Sequence, residues 1–301
     1  MKIPYKHIVK FIGESPPLNE ISEKLFQLGH EHTIENDIFD IEITPNRGDC
    51  LSLEGILRDL SVFYEIDFSV NLFQKNIQKF NFDFTNLSKE ICPKISFLKV
   101  EIDKEIKPYD GSLKDYYNEL DIKKNNFFTD ISNYILYELG QPTHCYDADL
   151  INAPLRLKVL DKQKSFQALT DKKINLNNGD LVFEINDQVI NLAGVMGGKT
   201  TACNEKTRSV IIECAYFKPE FIIGKSLKYD IQSDAAYNFE RGVDPMAHEK
   251  TLSRFMHLIH EHASIKSAKL YSYDNLNYKD KYLNFDETII NNILGTKISS
   301  A

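Results

Sequence analysis

The stretch from Asn191 to Pro245, NLAGVMGGKTTACNEKTRSVIIECAYFKPEFIIGKSLKYDIQSDAAYNFERGVDP, constrains the chain more than any other. It sets a lone acid inside an apolar strand pattern. In SVIIECAYF, strand alternation places Glu213 on one side with Ile211 and Ala215, and Val210, Ile212 and Cys214 on the other. Such a carboxylate either reaches solvent or turns into an apolar layer, and the sequence leaves both open. Inside, it needs a donor, because an unpaired buried carboxylate is costly, and a ligand hydroxyl meets that need. The glycines Gly194, Gly197 and Gly198 before it and the Ser-Asp-Ala-Ala segment from Ser233 after it are small, as the wall of a pocket requires.

Composition narrows the classes of function. With 301 residues the chain can hold two domains, and 42 % hydrophobic content with 15 Tyr and 19 Phe is that of a folded protein. A net charge of −8 argues against a broad basic face, so a nucleic-acid partner would be met through a local patch. The five cysteines, Cys50, Cys92, Cys145, Cys203 and Cys214, have no close pairing, and MKIPYKHIVK has no hydrophobic leader. A reduced, cytoplasmic protein is expected. No apolar run approaches the roughly 20 residues of a membrane span, so no membrane partner is expected.

Periodicity supplies the elements. Residues 15–29 read as a small docking helix with Ser15 as N-cap, Pro16 in its first turn and Gly29 as its stop. A strand follows at 37–44, then a helix capped by Asp49 with an apolar stripe of Leu53, Ile56, Leu57, Leu60 and Phe63. The Asn- and Lys-rich segment 71–90 marks a boundary. Beyond it, strands are expected at 95–102, 155–160, 181–185, 189–193 and 209–215, and helices at 113–120, 133–139 and 245–263. Without a regular βαβ period this is an α+β chain with mixed or antiparallel sheet. It divides into an N-terminal α/β docking piece at 1–80, a large domain at 81–275, and the beginning of a further domain at 276–301, where a new strand and helix start and a larger protein would continue.

Several motifs have a plain structural reading beside a chemical one. AGVMGGKT (193–200) matches a relaxed phosphate loop, which would make the chain a nucleotide-binding protein, but a phosphate loop opens a helix and here a strand begins about nine residues later. A tight glycine turn between strands fits better. Of His257, His260 and His262, only His257 and His260 share a helix face, neither a carboxylate nor a cysteine completes a metal set with them, and no metal is expected. His144 in GQPTHCYDAD sits on a loop constrained by Pro142. Asn133 reads as a helix cap, Ser233-Asp234 caps the helical AAYNFER, and Glu240 with Arg241 reads as a local ion pair.

EITPNRGDCLSLEGILRDL (42–60), SNYILYELGQPTHCYDADLI (132–151), LAGVMGG (192–198), VIIECAYFKP (210–219) and SDAAYNFERGVDP (233–245) together closely resemble the β subunit of bacterial phenylalanyl-tRNA synthetase. The resemblance runs from the helix near Leu18 to the last residues. It implies a docking piece, an editing domain that hydrolyses tyrosine wrongly attached to tRNA(Phe), and the start of the next domain. It also implies a heterotetramer with an α subunit that performs aminoacylation with ATP and Mg²⁺, the 3′ end of tRNA(Phe) carrying tyrosine as substrate, no cofactor for editing, and no DNA partner.

Carried over by motif, the resemblance makes His144 and Glu213 the catalytic pair. Asn133, Gly197, Glu213, Ser233 and Ala235 become substrate-binding, and Lys123 and Arg241 become tRNA contacts. Glu213 would accept a hydrogen bond from the tyrosine hydroxyl, His144 would act as base or position a water, and amides near Gly197 would polarise the ester carbonyl. The chain departs from the family in three places. The oligonucleotide-binding barrel usually inserted between the first helix and the ITPNR strand is replaced by a few residues. Ser233 stands for the usual threonine, and Lys123 for a frequent arginine. These departures motivate a second reading, a structural, tRNA-positioning module without editing activity.

Overall fold

The computed structural model describes residues 1–277 and 282–299. Its hub is the strand Lys94–Ile106, whose KISFLKV half is apolar on both faces and therefore needs cover on both. It pairs antiparallel with Ser209–Tyr216 on one side and Ala263–Asp274 on the other. Gln78–Lys79 and Thr143–Asp147 form the two edges of this five-stranded sheet. A second five-stranded sheet runs in the order Met196–Gly197, Gln188–Leu192, Leu181–Ile185, Leu155–Val159, Phe84–Asn86.

The two faces of the first sheet belong to different cores. Leu98, Val100, Val210, Ile212 and Cys214 pack beneath the helices Phe127–Leu139 and His248–His262. Ile95, Phe97, Tyr146, Ile211 and Ala215 pack against Leu157, Phe183 and Leu192 of the second sheet. The architecture is thus helix layer, sheet, sheet. It is α+β, with antiparallel pairing except where Gln78–Lys79 and Phe84–Asn86 join their sheets parallel.

The first 60 residues form a three-stranded sheet of Lys2–Pro4, Ile38–Ile41 and His32–Glu35 with three α-helices, Tyr5–Val9, Leu18–Gln27 and Leu53–Leu60. Ile3, Ile21, Leu25, Phe39 and Leu57 run into the helix-layer core without a break. Three motifs meet at this junction. Gly48 lies so close to the Arg241–Gly242 backbone that a β-carbon there would sit 2.7 Å from the Arg241 carbonyl oxygen. Asn238 Nδ2 donates to the carbonyls of Gly140 (3.1 Å) and Leu51 (3.4 Å), which holds the loop after the Phe127–Leu139 helix against the docking piece.

Several local expectations are corrected. The docking helix expected at 15–29 starts at Leu18 after the extended Pro17, with no side-chain cap, so Ser15 is not its N-cap. The cap of the next helix is Ser52, whose hydroxyl accepts the Gly55 N–H at 2.9 Å, because Asp49 is taken up by Arg47 and Arg58. Asn126, not Asn133, caps the Phe127–Leu139 helix, accepting from Thr129 N–H. Glu240 accepts from the Gly224 amide while the Arg241 guanidinium stacks 3.5 Å over the Tyr237 ring, so the expected ion pair between them does not form. Ser233 does cap its helix, Asp234–Arg241. Near the C-terminus the helix forms at Glu287–Leu294, but residues 282–286 hold no strand. The expected strand's first residue, 281, and residues 300–301 lie outside the described residues. No helix among the described residues is long and apolar enough to cross a membrane.

Candidate active site

His144 is not on a loop. It belongs to the strand Thr143–Asp147, which forms because Gly140, at φ 74°, ends the helix and Pro142 turns the chain outward. That strand pairs with Ser209–Tyr216, and the register sets His144 directly opposite Glu213. Both side chains, with Tyr146 two residues on, therefore point to the face that meets the second sheet. Glu213 is inward, 4 % exposed.

Its neighbours determine its chemistry. Tyr146 donates its hydroxyl to Glu213 Oε2 at 2.6 Å, and Asn191 Nδ2, from the second sheet, donates to the Tyr146 oxygen at 2.7 Å. Burial pushes the Glu213 carboxyl up to about 8, and the Tyr146 hydrogen bond opposes that rise. A further donor would favour the ionised form again. Burial also pushes the Tyr146 phenol well above its usual range.

His144 is wedged between two groups. Its ring meets the Tyr146 ring edge-on, with centroids 4.4 Å apart, and its Cε1 and Nε2 lie against Gly197. A β-carbon at Gly197 would come within 2.9 Å of Nε2 and closer still to Cε1. Only glycine leaves room for the ring. Nε2 is closed off from solvent and has no hydrogen-bond partner among the described residues. Burial lowers the imidazole to about 4, so it is neutral at pH 7. Gly197 pairs with Asn191 in the second sheet, and the Gly198 amide donates to Ile190 O at 2.8 Å. That amide is committed to the ladder and is not available to polarise a carbonyl.

The remaining expected residues divide. Ser233 is tied to the glycine turn, donating to Val195 O at 2.5 Å while accepting from the Ala236 amide, so Ser233 and Ala235 open a helix beside it. Asn133 is not brought to Glu213: its helix covers the opposite face of the sheet. Lys123 is exposed, next to an open cleft of about 410 Å³ lined by Lys107, Tyr109, Lys114 and Lys124. Arg241 lies over Tyr237, by the seam with Gly48.

The phosphate-loop reading fails on local structure. Lys199–Thr201 is a single 3₁₀ turn, Lys199 is paired with Asp171, and the next regular element is the strand Ser209–Tyr216. Sequence reasoning missed Tyr146 and Asn191. Alternation from His144 would have found Tyr146, had the segment been read as a strand.

Among the described residues the one grouping with metal-ligand geometry is His30, Cys50 and Asp59. The Arg47 guanidinium already fills it, 2.6 Å from Asp59 and 2.7 Å from Cys50, and a cation at that place disfavours a metal.

The B3/4 domain family matches residues 91–264, the segment that holds most strands of both sheets and every residue of the site. The phenylalanine–tRNA ligase β subunit of Psychrobacter arcticus is 30 % identical over 247 residues, covering 80 % of this chain and 31 % of its own length. That of Ehrlichia ruminantium is 30 % identical over 286 residues, covering 93 % and 36 %. The crystal structure of an N-terminal fragment of the phenylalanyl-tRNA synthetase β-subunit from Pyrococcus horikoshii aligns with 99 % of this chain and 85 % of its own at a TM-score of 0.45 and 14 % identity. This chain spans about a third of the length of the curated relatives it matches. The curated relatives named here are phenylalanine–tRNA ligase β subunits, and with more than half of its residues in the matched segment, the chain belongs to the B3/4 domain family.

Proposed function

We propose that this chain is the editing portion of a phenylalanine–tRNA ligase, working in the cytoplasm with the α subunit and hydrolysing tyrosine from the 3′ end of tRNA(Phe). The observation that carries the reading is Glu213, a carboxylate buried on an apolar face and set directly across from a neutral histidine. A tyrosyl side chain brings a phenolic hydroxyl to Glu213 and favours its ionised form. A phenylalanyl side chain buries the same carboxyl with no added donor. Sites that hydrogen-bond a substrate hydroxyl reject the analogue lacking it by about 10⁴ to 10⁵ at best, so correctly charged Phe-tRNA is spared.

The hydrolysis itself asks little of the protein. An aminoacyl ester is intrinsically reactive, and holding a water against it supplies most of the acceleration. His144, neutral at pH 7 but a weak base at about 4, suits orienting that water better than removing its proton outright. The terminal ribose hydroxyl is the competing acceptor. Ser233 and Ala235 would border the aminoacyl group, Lys123 and Arg241 the tRNA backbone, and Asn133 would support the site from across the sheet. Editing needs no cofactor in this scheme, while ATP and Mg²⁺ serve the α subunit.

The test is deacylation of Tyr-tRNA(Phe) and Phe-tRNA(Phe) by the protein with its α subunit. Tyr-tRNA(Phe) is cleared much faster, and Glu213→Ala erodes that preference. Equal rates for both esters, matching buffer, refute editing and leave the tRNA-positioning reading.

A further inference from the structure

Asn191, Tyr146 and Glu213 form a directed chain of hydrogen bonds that crosses from one sheet to the other. The Asn191 amide nitrogen can only donate, so the Tyr146 proton must go to Glu213 Oε2. All three side chains are buried, and donation into the Tyr146 oxygen strengthens its own donation onward. Oε1, the second carboxylate oxygen, accepts from no group among the described residues.

We propose that Tyr146 and Asn191 are positioning residues for Glu213: they fix Oε2 so that Oε1 alone is presented to the hydroxyl of a tyrosyl ester. This rests on the editing reading above. The groups that face Glu213 leave no substitute for Tyr146. His144 lies across on one neighbouring strand and Phe97 on the other. The nearby thiols Cys92, Cys145 and Cys214 are pushed up by burial first, and the Glu213 charge adds to the rise in each, for Cys145 after Cys203. None of these is a cation. The Tyr146 hydroxyl is what opposes burial at this carboxyl.

Tyr146→Phe removes only the hydroxyl and keeps the ring against His144. In the full chain with its α subunit, two measurements are made. The Glu213 carboxyl is titrated by ¹³C NMR, with Glu213→Gln assigning the resonance, and the Tyr-tRNA to Phe-tRNA deacylation ratio is followed against pH. The titration moves up by about one pH unit, equivalent to a tenfold change. The deacylation preference falls about tenfold at pH 7.5, and the pH at which it sets in rises in step with the titration.

A titration that stays in place overturns the proposal, as does an equal loss on both esters, which marks a merely structural role. If the titration moves while the wild-type protein deacylates neither ester, the editing reading falls and the control of Glu213 by Tyr146 stands. Should Tyr146→Phe fail to fold, Asn191→Ala, which removes the donor behind Tyr146, carries the same measurements with the same directions expected.

Discussion

Substituting Gly197 by alanine adds one methyl group at the tightest point of the site. The new carbon would lie 2.9 Å from His144 Nε2, 3.0 Å from Leu169 Cδ1 and nearer still to His144 Cε1, against an ordinary contact of 3.4 Å or more. Gly197 has no left-handed backbone to lose, so the conflict is with side chains, chiefly the His144 ring. The ring must retreat by about 1 Å, yet the Tyr146 ring backs it at 4.4 Å between centroids and is itself fully buried. Overpacking of this kind costs about 1–3 kcal/mol, and a misplacement of about 1 Å costs about 10²-fold in rate. Gly197→Ala is therefore expected to lower the melting temperature by a few degrees and to cut the proposed Tyr-tRNA(Phe) deacylation about a hundredfold. Adding His144→Ala makes room for the methyl and restores the melting temperature without restoring hydrolysis. Single-turnover deacylation and thermal melts of the two variants check this. If Gly197→Ala melts and deacylates like wild type, the wedged position of His144 is refuted.

Two more predictions concern stability. Arg254 holds Glu138 through two hydrogen bonds of 2.7 and 2.8 Å, both residues being almost fully buried, with Tyr134 donating a third at 2.6 Å. Arg254→Met strands the carboxylate and costs about 3–5 kcal/mol in denaturant melts, and Glu138→Gln in that background recovers much of the loss; a cost below about 1 kcal/mol contradicts the pairing. The Glu213 carboxyl, raised from 4.5 to about 8 on folding, contributes stability that is fully present below pH 4.5 and lost as pH rises through about 8. Across pH 5–7.5 the wild type therefore loses stability relative to Glu213→Gln by at most about 1.4 kcal/mol per pH unit, the limit for one proton. His7, His144 and His248, each lowered to about 4 by burial, act in the opposite sense between pH 6.5 and 4, and they cancel in this comparison. Parallel wild-type and Glu213→Gln profiles would show that the carboxyl is not raised.

The sequence by itself determined the elements whose signals are local. Alternation in SVIIECAYF carried the strand and the set of residues that share a side with Glu213, and Ser233 capped the helix it preceded, because both effects act within a few residues. The α+β class followed from the missing βαβ period. Caps were misplaced where a better-placed side chain stood nearby, as Ser52 stood after Asp49 and Asn126 before Asn133. The strand Ala263–Asp274 was missed because its half-exposed residues make no apolar pattern; it forms because the hub strand offers an edge.

Tertiary structure alone decided the site. Whether Glu213 faced solvent or core depended on a second sheet packing over that side, which alternation cannot report. The pairing of His144 with Glu213 depended on register between strands more than 60 residues apart, and the donor to the acid is Tyr146, whose oxygen accepts in turn from Asn191 across the sheets. The same packing removed Asn133 from the acid by placing its helix on the other face. Local sequence fixes which way a side chain points along its own strand, but what it meets there is set by contacts distant in the chain.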